Sequence, residues 1–385
     1  MKLLKIKVTG LPLYKDALEM DFFARQRVES EKNETMHHLF SNIYLNNAIA
    51  VMGINASGKT TTLKTLSFIL NLLNNEPINH ISSNEILEGM NTEKGVAFES
   101  YFYCENETIN KLETVIKKKA GQGEEDNKYI IEDEKLWSKD IKSVKIKKNL
   151  LEFNHILPAM VRSKDEEFLM EDVSIMIAFN KKNEAGFFLR DMSKWTDFNV
   201  LPFLGEFPEE LIAFLDPSID YFKISMEGED FDIRLKFKES EEISLNNPVT
   251  LNRYLSSGTI KGIGVFMNAM FVFKKGGYLI IDELENHFNK EIVATLIRFF
   301  MDCVVNPKGA VLLFSTHYSE LMDEFDRNDS ILITRNRNGI TIENLSNILK
   351  RNDIKKSEAY QSGFLQGTVP AYEAYANLKN VLINS

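Results

Sequence analysis

The sequence predicts an α/β fold, a mixed sheet flanked by helices with antiparallel strands at its N-terminus, on three observations. Short apolar runs at 48–52 (AIAVM), 278–281 (YLII) and 310–314 (AVLLF) have the length and composition of strands buried on both faces. Between them, Leu63, Leu66, Ile69, Leu70 and Leu73 recur at helical spacing, as do Ile260, Ile263, Phe266, Met267, Met270 and Phe271. The N-terminal MKLLKIKVTG alternates apolar and polar residues, the pattern of a half-buried strand.

Residues 1–28 read as strand, turn, strand (LLKIKVTG, then ALEMDFFA), and the polar stretch 29–45 reads as a loop. Its His37 and His38 have no partners at metal-ligand spacing, so they are read as solvated. The apolar run 48–52 then leads into GINASGKT at 53–60, which fits G-x-x-x-x-G-K-[ST]. Eight residues can match by chance, as a glycine turn with a stray lysine, but the flanking strand and helix are those a phosphate-binding loop needs. Gly53 and Gly58 let the backbone turn tightly and aim several N–H groups at one anion, and the helix after them adds its positive end. Lys59 is the point charge for β- and γ-phosphates, Thr60 supplies a hydroxyl for Mg²⁺, and Thr61 follows it in the nucleotide-binding set.

Composition sets the class. The 385 residues are 44% hydrophobic and 26% charged, an ordinary globular balance with enough chain for one large or two ordinary domains. The net charge of −10 implies no general affinity for nucleic acid. Cys104 and Cys303 make no disulfide framework and suit a reducing compartment. No apolar run approaches the ~18 residues of a membrane span, and the N-terminus lacks a signal peptide's apolar core. A cytoplasmic protein with no membrane partner is expected.

Past residue 75 the signals are weaker. GVAFESYFYC (95–104) and YIIEDEKLW read as strands, with a turn expected at Gly121–Gly123 in the charged stretch between them. Lys139, Lys142, Lys145, Lys147 and Lys148 form a basic cluster, but Glu132, Asp133, Glu134 and Asp140 lie beside it, the composition of a solvated face. FDIRLKFK (231–238) is another alternating strand.

Three further motifs follow. Ser256, Ser257 and Gly258, in LSSGT, stand at the start of the second helical run, where hydroxyls and backbone N–H groups favour an anion; by themselves they would be a plain helix cap. Asp282 and Glu283 end a buried strand, and carboxylates placed there can hold Mg²⁺ and take a proton from an attacking water. His317 ends the next buried strand, AVLLFSTH, positioned to meet a γ-phosphate or that water.

GxNxxGKT, LSSGT, IIDE and STH, in this order, resemble the ABC-type ATPases of the SMC, RecF and OLD (overcoming lysogenization defect) group and the bacterial antiphage ATPases similar to them. The run Asp282-Glu283-Leu284-Glu285-Asn286-His287 looks like the DExEN-x-x-H form of OLD-like proteins, and the tail from Arg351 to Tyr375 resembles the end of stand-alone members. The resemblance covers about residues 1–75 and 230–370. It implies ATP and Mg²⁺, with Asn55 matching the nucleotide-binding asparagine common within the family's P-loop, and a head-to-tail homodimer in which LSSGT of one copy meets the P-loop of the other. It also implies an ABC-like core made of 1–104 and 231–385, with 105–230 inserted between them as a sensor or partner-docking region. On this reading the protein is an ATP-driven switch of antiphage defence controlling a separate effector, a nuclease or toxin. The alternative is a RecF-like repair ATPase that binds DNA when ATP-bound.

Departures narrow the branch. Heptads of an SMC coiled coil are absent between Lys59 and Leu255, DEPTxxLD of transporter subunits is missing, and the stretch after His317 holds nothing resembling a Toprim nuclease. No glutamine lies between Gln26 and Gln122 to act as the family's Q-loop residue, so either another residue, with Glu99 and Glu105 as candidates, serves there or the metal is held differently.

Overall fold

The computed structural model describes residues 1–28, 35–119, 129–163, 169–194, 201–228, 230–286, 288–351, 354–369 and 372–384. Its centre is a six-stranded sheet in the order Leu189–Asp191, Tyr278–Ile281, Val311–Thr316, Ala48–Met52, Ile331–Asn336, Ile340–Asn344. The first five strands are parallel and the last is antiparallel to its neighbour. The three apolar runs of the sequence are thus adjacent central strands, and all their residues are buried.

Strand alternation assigns the two faces. Ile49, Val51, Ile280 and Leu313 point into one core, shared with the helix Lys59–Leu73 and an antiparallel sheet beyond it. Ala48, Ala50, Met52, Ile281 and Phe314 point into the other, against the helices Ser257–Lys275 and Lys290–Met301. The antiparallel sheet runs Leu18–Asp21, Lys2–Thr9, Val96–Cys104, Thr108–Lys118, Tyr129–Asp140, Met160–Val161. The strand–turn–strand reading of the N-terminus is its first pair, with Ile6 opposite Met20. Sequence-distant strands therefore cap the P-loop helix, which explains why 11 of its 15 residues are buried, more than one amphipathic stripe would require. A third, four-stranded sheet around Ile219–Glu227 and Asp230–Phe237 packs on the start of the helix Ser257–Lys275 through Ile260 and Ile263.

One local expectation changes. Within the stretch read as a loop, His37–Phe40 pairs with Ile43–Leu45 in a two-stranded hairpin whose Ile43 and Leu45 join Leu4 and Tyr101 in a small core. Strands of three and four residues are too short for period-2 alternation to register. The turn expected at Gly121–Gly123 lies outside the described residues, as does His287. Among the described residues no helix is long and apolar enough to cross a membrane.

Candidate nucleotide-binding site

In open α/β sheets, ligands bind beyond the carboxyl ends of the parallel strands, and here three of those ends meet. The strand Val311–Thr316 lies between the P-loop strand and Tyr278–Ile281. Its next residue, His317, consequently lands between the lysine of one neighbour and the acids of the other. His317 Nδ1 is 3.5 Å from Lys59 Nζ, and Nε2 is 3.9 Å from Glu283 Oε1. Lys59, Thr60, Thr61, Asn55, Gly58, Glu283 and His317 line one cleft of about 730 Å³.

The loop is built for close approach. Gly58 caps the helix at φ +101°, and a Cβ there would sit 2.6 Å from the Ile340 side chain. A Cβ on Gly53 would meet Ser57 Oγ at 2.2 Å and Thr334 Oγ1 at 2.4 Å. Both positions exclude larger side chains, Gly58 through conformation as well as space. No side chain caps the helix that starts at Lys59. Lys59 itself is 6% exposed and donates to the carbonyls of Gly53 (3.1 Å) and Ile54 (3.3 Å). Burial pulls its ammonium pKa down, and the carboxylates of Asp282, Glu283 and Glu285 oppose that shift.

The acid turn is laced to the histidine strand. Asp282 accepts from Thr60 Oγ1 at 2.6 Å with one oxygen and from Ser315 Oγ with the other. Glu283 adopts φ +49°, a left-handed conformation that costs a non-glycine residue of order 1 kcal/mol. Its N–H donates to Ser315 Oγ (2.8 Å), and Asn286 Nδ2 donates to its carboxylate (2.6 Å), so both its main chain and its side chain are held. Glu285, 6% exposed, accepts from the backbone N–H of His317, while its Oε2 is buried with no hydrogen-bond partner among the described residues.

The residues present fit a magnesium nucleotide. The glycines make a cradle that a Cβ would fill, and the Thr60–Asp282 contact brings a hydroxyl and a carboxylate together, the hard oxygen donors Mg²⁺ prefers. Among the described residues no group of three or more His, Cys, Asp or Glu forms a metal cage. Mg²⁺ in phosphoryl-transfer sites is commonly held by one or two protein groups together with substrate phosphates.

Some residues arrive unannounced. Pro12 and Leu13, from the loop after the first strand, and Asn336, Asn338, Gly339 and Ile340, from the last hairpin, form the rest of the cleft wall. Asn336 Nδ2 donates to Ala56 O at 3.1 Å and so ties that hairpin to the P-loop. The serine of STH was a signal for Ser315, and an asparagine three residues after an acid was one for Asn286. Others fall elsewhere. Ser256, Ser257 and Gly258 start their helix away from the cleft lining. Neither Glu99 nor Glu105 lines the cleft: Glu99 lies on the antiparallel sheet, 3.7 Å from Lys111 Nζ and accepting from Tyr101 (3.2 Å). The expectation that one of them replaces a Q-loop glutamine is therefore not met within this chain.

A mainly parallel sheet with a phosphate loop, an acid pair and a histidine at the carboxyl ends of its central strands defines a P-loop NTPase domain. The chain belongs to the family described as "AAA domain, putative AbiEii toxin, Type IV TA system", whose model matches residues 49–323, from the P-loop strand to beyond His317. No curated protein matches the chain.

Proposed function

We propose that this protein binds and hydrolyses ATP and uses the cycle as a switch. The observation that carries this reading is the convergence of Lys59, Thr60, Asp282, Glu283 and His317 at the carboxyl ends of three central strands. Thr60 and Asp282 would hold Mg²⁺, which when bound neutralises charge on the β- and γ-phosphates. Lys59 adds a fixed positive charge beside them. Glu283, 44% exposed at its side chain, takes the proton that water loses as its oxygen bonds to the γ-phosphorus and the bond to the bridging oxygen breaks. Asn286 orients that carboxylate, and His317 stands within reach of both Lys59 and Glu283.

In this reading the helix start at Ser256, Ser257 and Gly258 serves a second copy of the chain, closing a head-to-tail homodimer over two nucleotides. The OLD-like motif set supports an output through a separate effector, a nuclease or toxin, in defence against phage. The RecF-like alternative of ATP-dependent DNA binding gains little from the basic cluster. Lys139 donates to the carbonyls of Asn149 (2.6 Å) and Glu152 (2.8 Å), and Lys147 to those of Ala24 and Arg25, so two of its five charges face inward contacts.

Single-turnover hydrolysis with sizing by light scattering tests this. Glu283→Gln should still bind ATP, hydrolyse it about 10²–10⁴-fold more slowly and accumulate as a dimer. Unchanged turnover removes Glu283 as the base, and a monomer with ATP bound removes the dimer switch.

A further inference from the structure

The acid turn contains a second buried carboxylate that the reaction as described does not use. Glu285 is as buried as Lys59, each 6% exposed. One of its oxygens accepts from the N–H of His317, and the other has no hydrogen-bond partner among the described residues. Burying a carboxylate with an unsatisfied oxygen is costly. Its position gives a reason for it. His317 is the first residue past its strand, whose ladder with the P-loop strand ends at Thr316 opposite Met52. The N–H of residue 317 has thus run out of sheet carbonyls, and among the described residues its acceptor is Glu285, while the next N–H, of Tyr318, donates to Thr316 Oγ1 (3.0 Å). The neighbouring bonds belong to the same lacing: Leu284 N–H donates to Ser315 O (3.0 Å), and Phe288 N–H to Glu285 O (3.1 Å).

We propose that Glu285 is a positioning residue for hydrolysis: its carboxylate clamps the main chain of His317, so that the imidazole stands between the Lys59 ammonium and the Glu283 carboxylate. The proposal rests on the ATPase reading and deepens it. Turnover would depend on Glu285 only through His317, whereas a structural brace would act regardless of what residue 317 is.

A double-mutant cycle on the full chain separates the two. Glu285→Ala should lower kcat by about tenfold or more and leave KM for ATP within about twofold, the mark of an interaction that matters in the transition state. Glu285→Gln keeps an acceptor oxygen for the His317 N–H and should recover kcat to within about threefold of the wild type. In a His317→Ala background, Glu285→Ala should add almost nothing. Additive losses, or a Gln variant as slow as the Ala variant, would overturn the clamp. A second readout needs no turnover. In a ¹³C-histidine-labelled chain, with the His317 signal assigned by its loss in His317→Ala, that signal should move in Glu285→Ala and stay near its place in Glu285→Gln. An unmoved signal in the Ala variant refutes the proposal even if the wild type hydrolyses nothing, an outcome that would count against the ATPase reading instead.

Discussion

Two helix starts in this molecule look alike in sequence and differ in structure. Lys59–Leu73 begins after Gly58, in a left-handed cap with no side-chain bond, at the rim of the cleft. Ser257–Lys275 begins after Ser256, whose Oγ accepts from Thr259 N–H at 3.0 Å and also meets Thr259 Oγ1 at 2.8 Å. Among the described residues the first end has no side-chain cap and opens on the cleft; the second is capped by its own serine. Within one copy, a helix N-terminus whose own serine bonds an N–H is less open to an anion than one with no side-chain cap, and neighbouring strands bring other charges only to the first.

That contrast can be broken by experiment. The largest effect belongs to Lys59→Ala, which should weaken ATP binding in titration calorimetry by about 10–100-fold, the worth of a hydrogen bond to a charged group. Ser256→Ala in dilute protein should leave that affinity unchanged, and equal losses would make the two ends equivalent. Next, Gly58→Ala places a Cβ 2.6 Å from Ile340 at φ +101°, and should cost about 1–3 kcal/mol in urea unfolding. A control glycine inside the other helix, Gly264→Ala, meets nothing within 4 Å and should stabilise by about 0.5–1 kcal/mol. If both glycines tolerate alanine equally, the P-loop turn is not conformationally fixed. A smaller effect is expected of Ser256→Ala on stability, about 1 kcal/mol for a lost cap, read as a lower midpoint in thermal unfolding. No loss would show that the serine is not capping and sharpen the case that it faces a second copy.

Much of the sheet was legible because buried parallel strands are apolar throughout. AIAVM, YLII and VLLFST are recognisable without knowing their neighbours. The strand at 37–40 was not, because the burial of Ile43 and Leu45 comes from Leu4 and Tyr101, residues far away in the chain. In the site, the P-loop is contiguous and needs no tertiary information. Asp282, Glu283 and His317 were legible because each follows directly on a strand end. The rest of the cleft was not. Leu13 and Asn338 lie on loops with no chemical signature, and they reach the P-loop because residues 13–15 bond to Ile340 (Lys15 N–H to Ile340 O, 3.0 Å; Ile340 N–H to Leu13 O, 2.8 Å). Glutamates 99 and 105 were candidates by position after the P-loop helix, but strand pairing carries Glu99 opposite Lys7 and Glu113.

The sequence by itself determined the chemistry: a glycine loop with lysine and threonine, two acids after one strand and a histidine after another, because residue type and strand ends are local properties. Tertiary structure decided which of these groups face each other. Strand order is a non-local choice, set by how apolar faces pack, and no local pattern states that Val311–Thr316 inserts between the P-loop strand and Tyr278–Ile281. That insertion alone brings His317 between Lys59 and Glu283, holds Glu283 in a left-handed turn through Ser315, and sets Glu285 against the histidine's backbone.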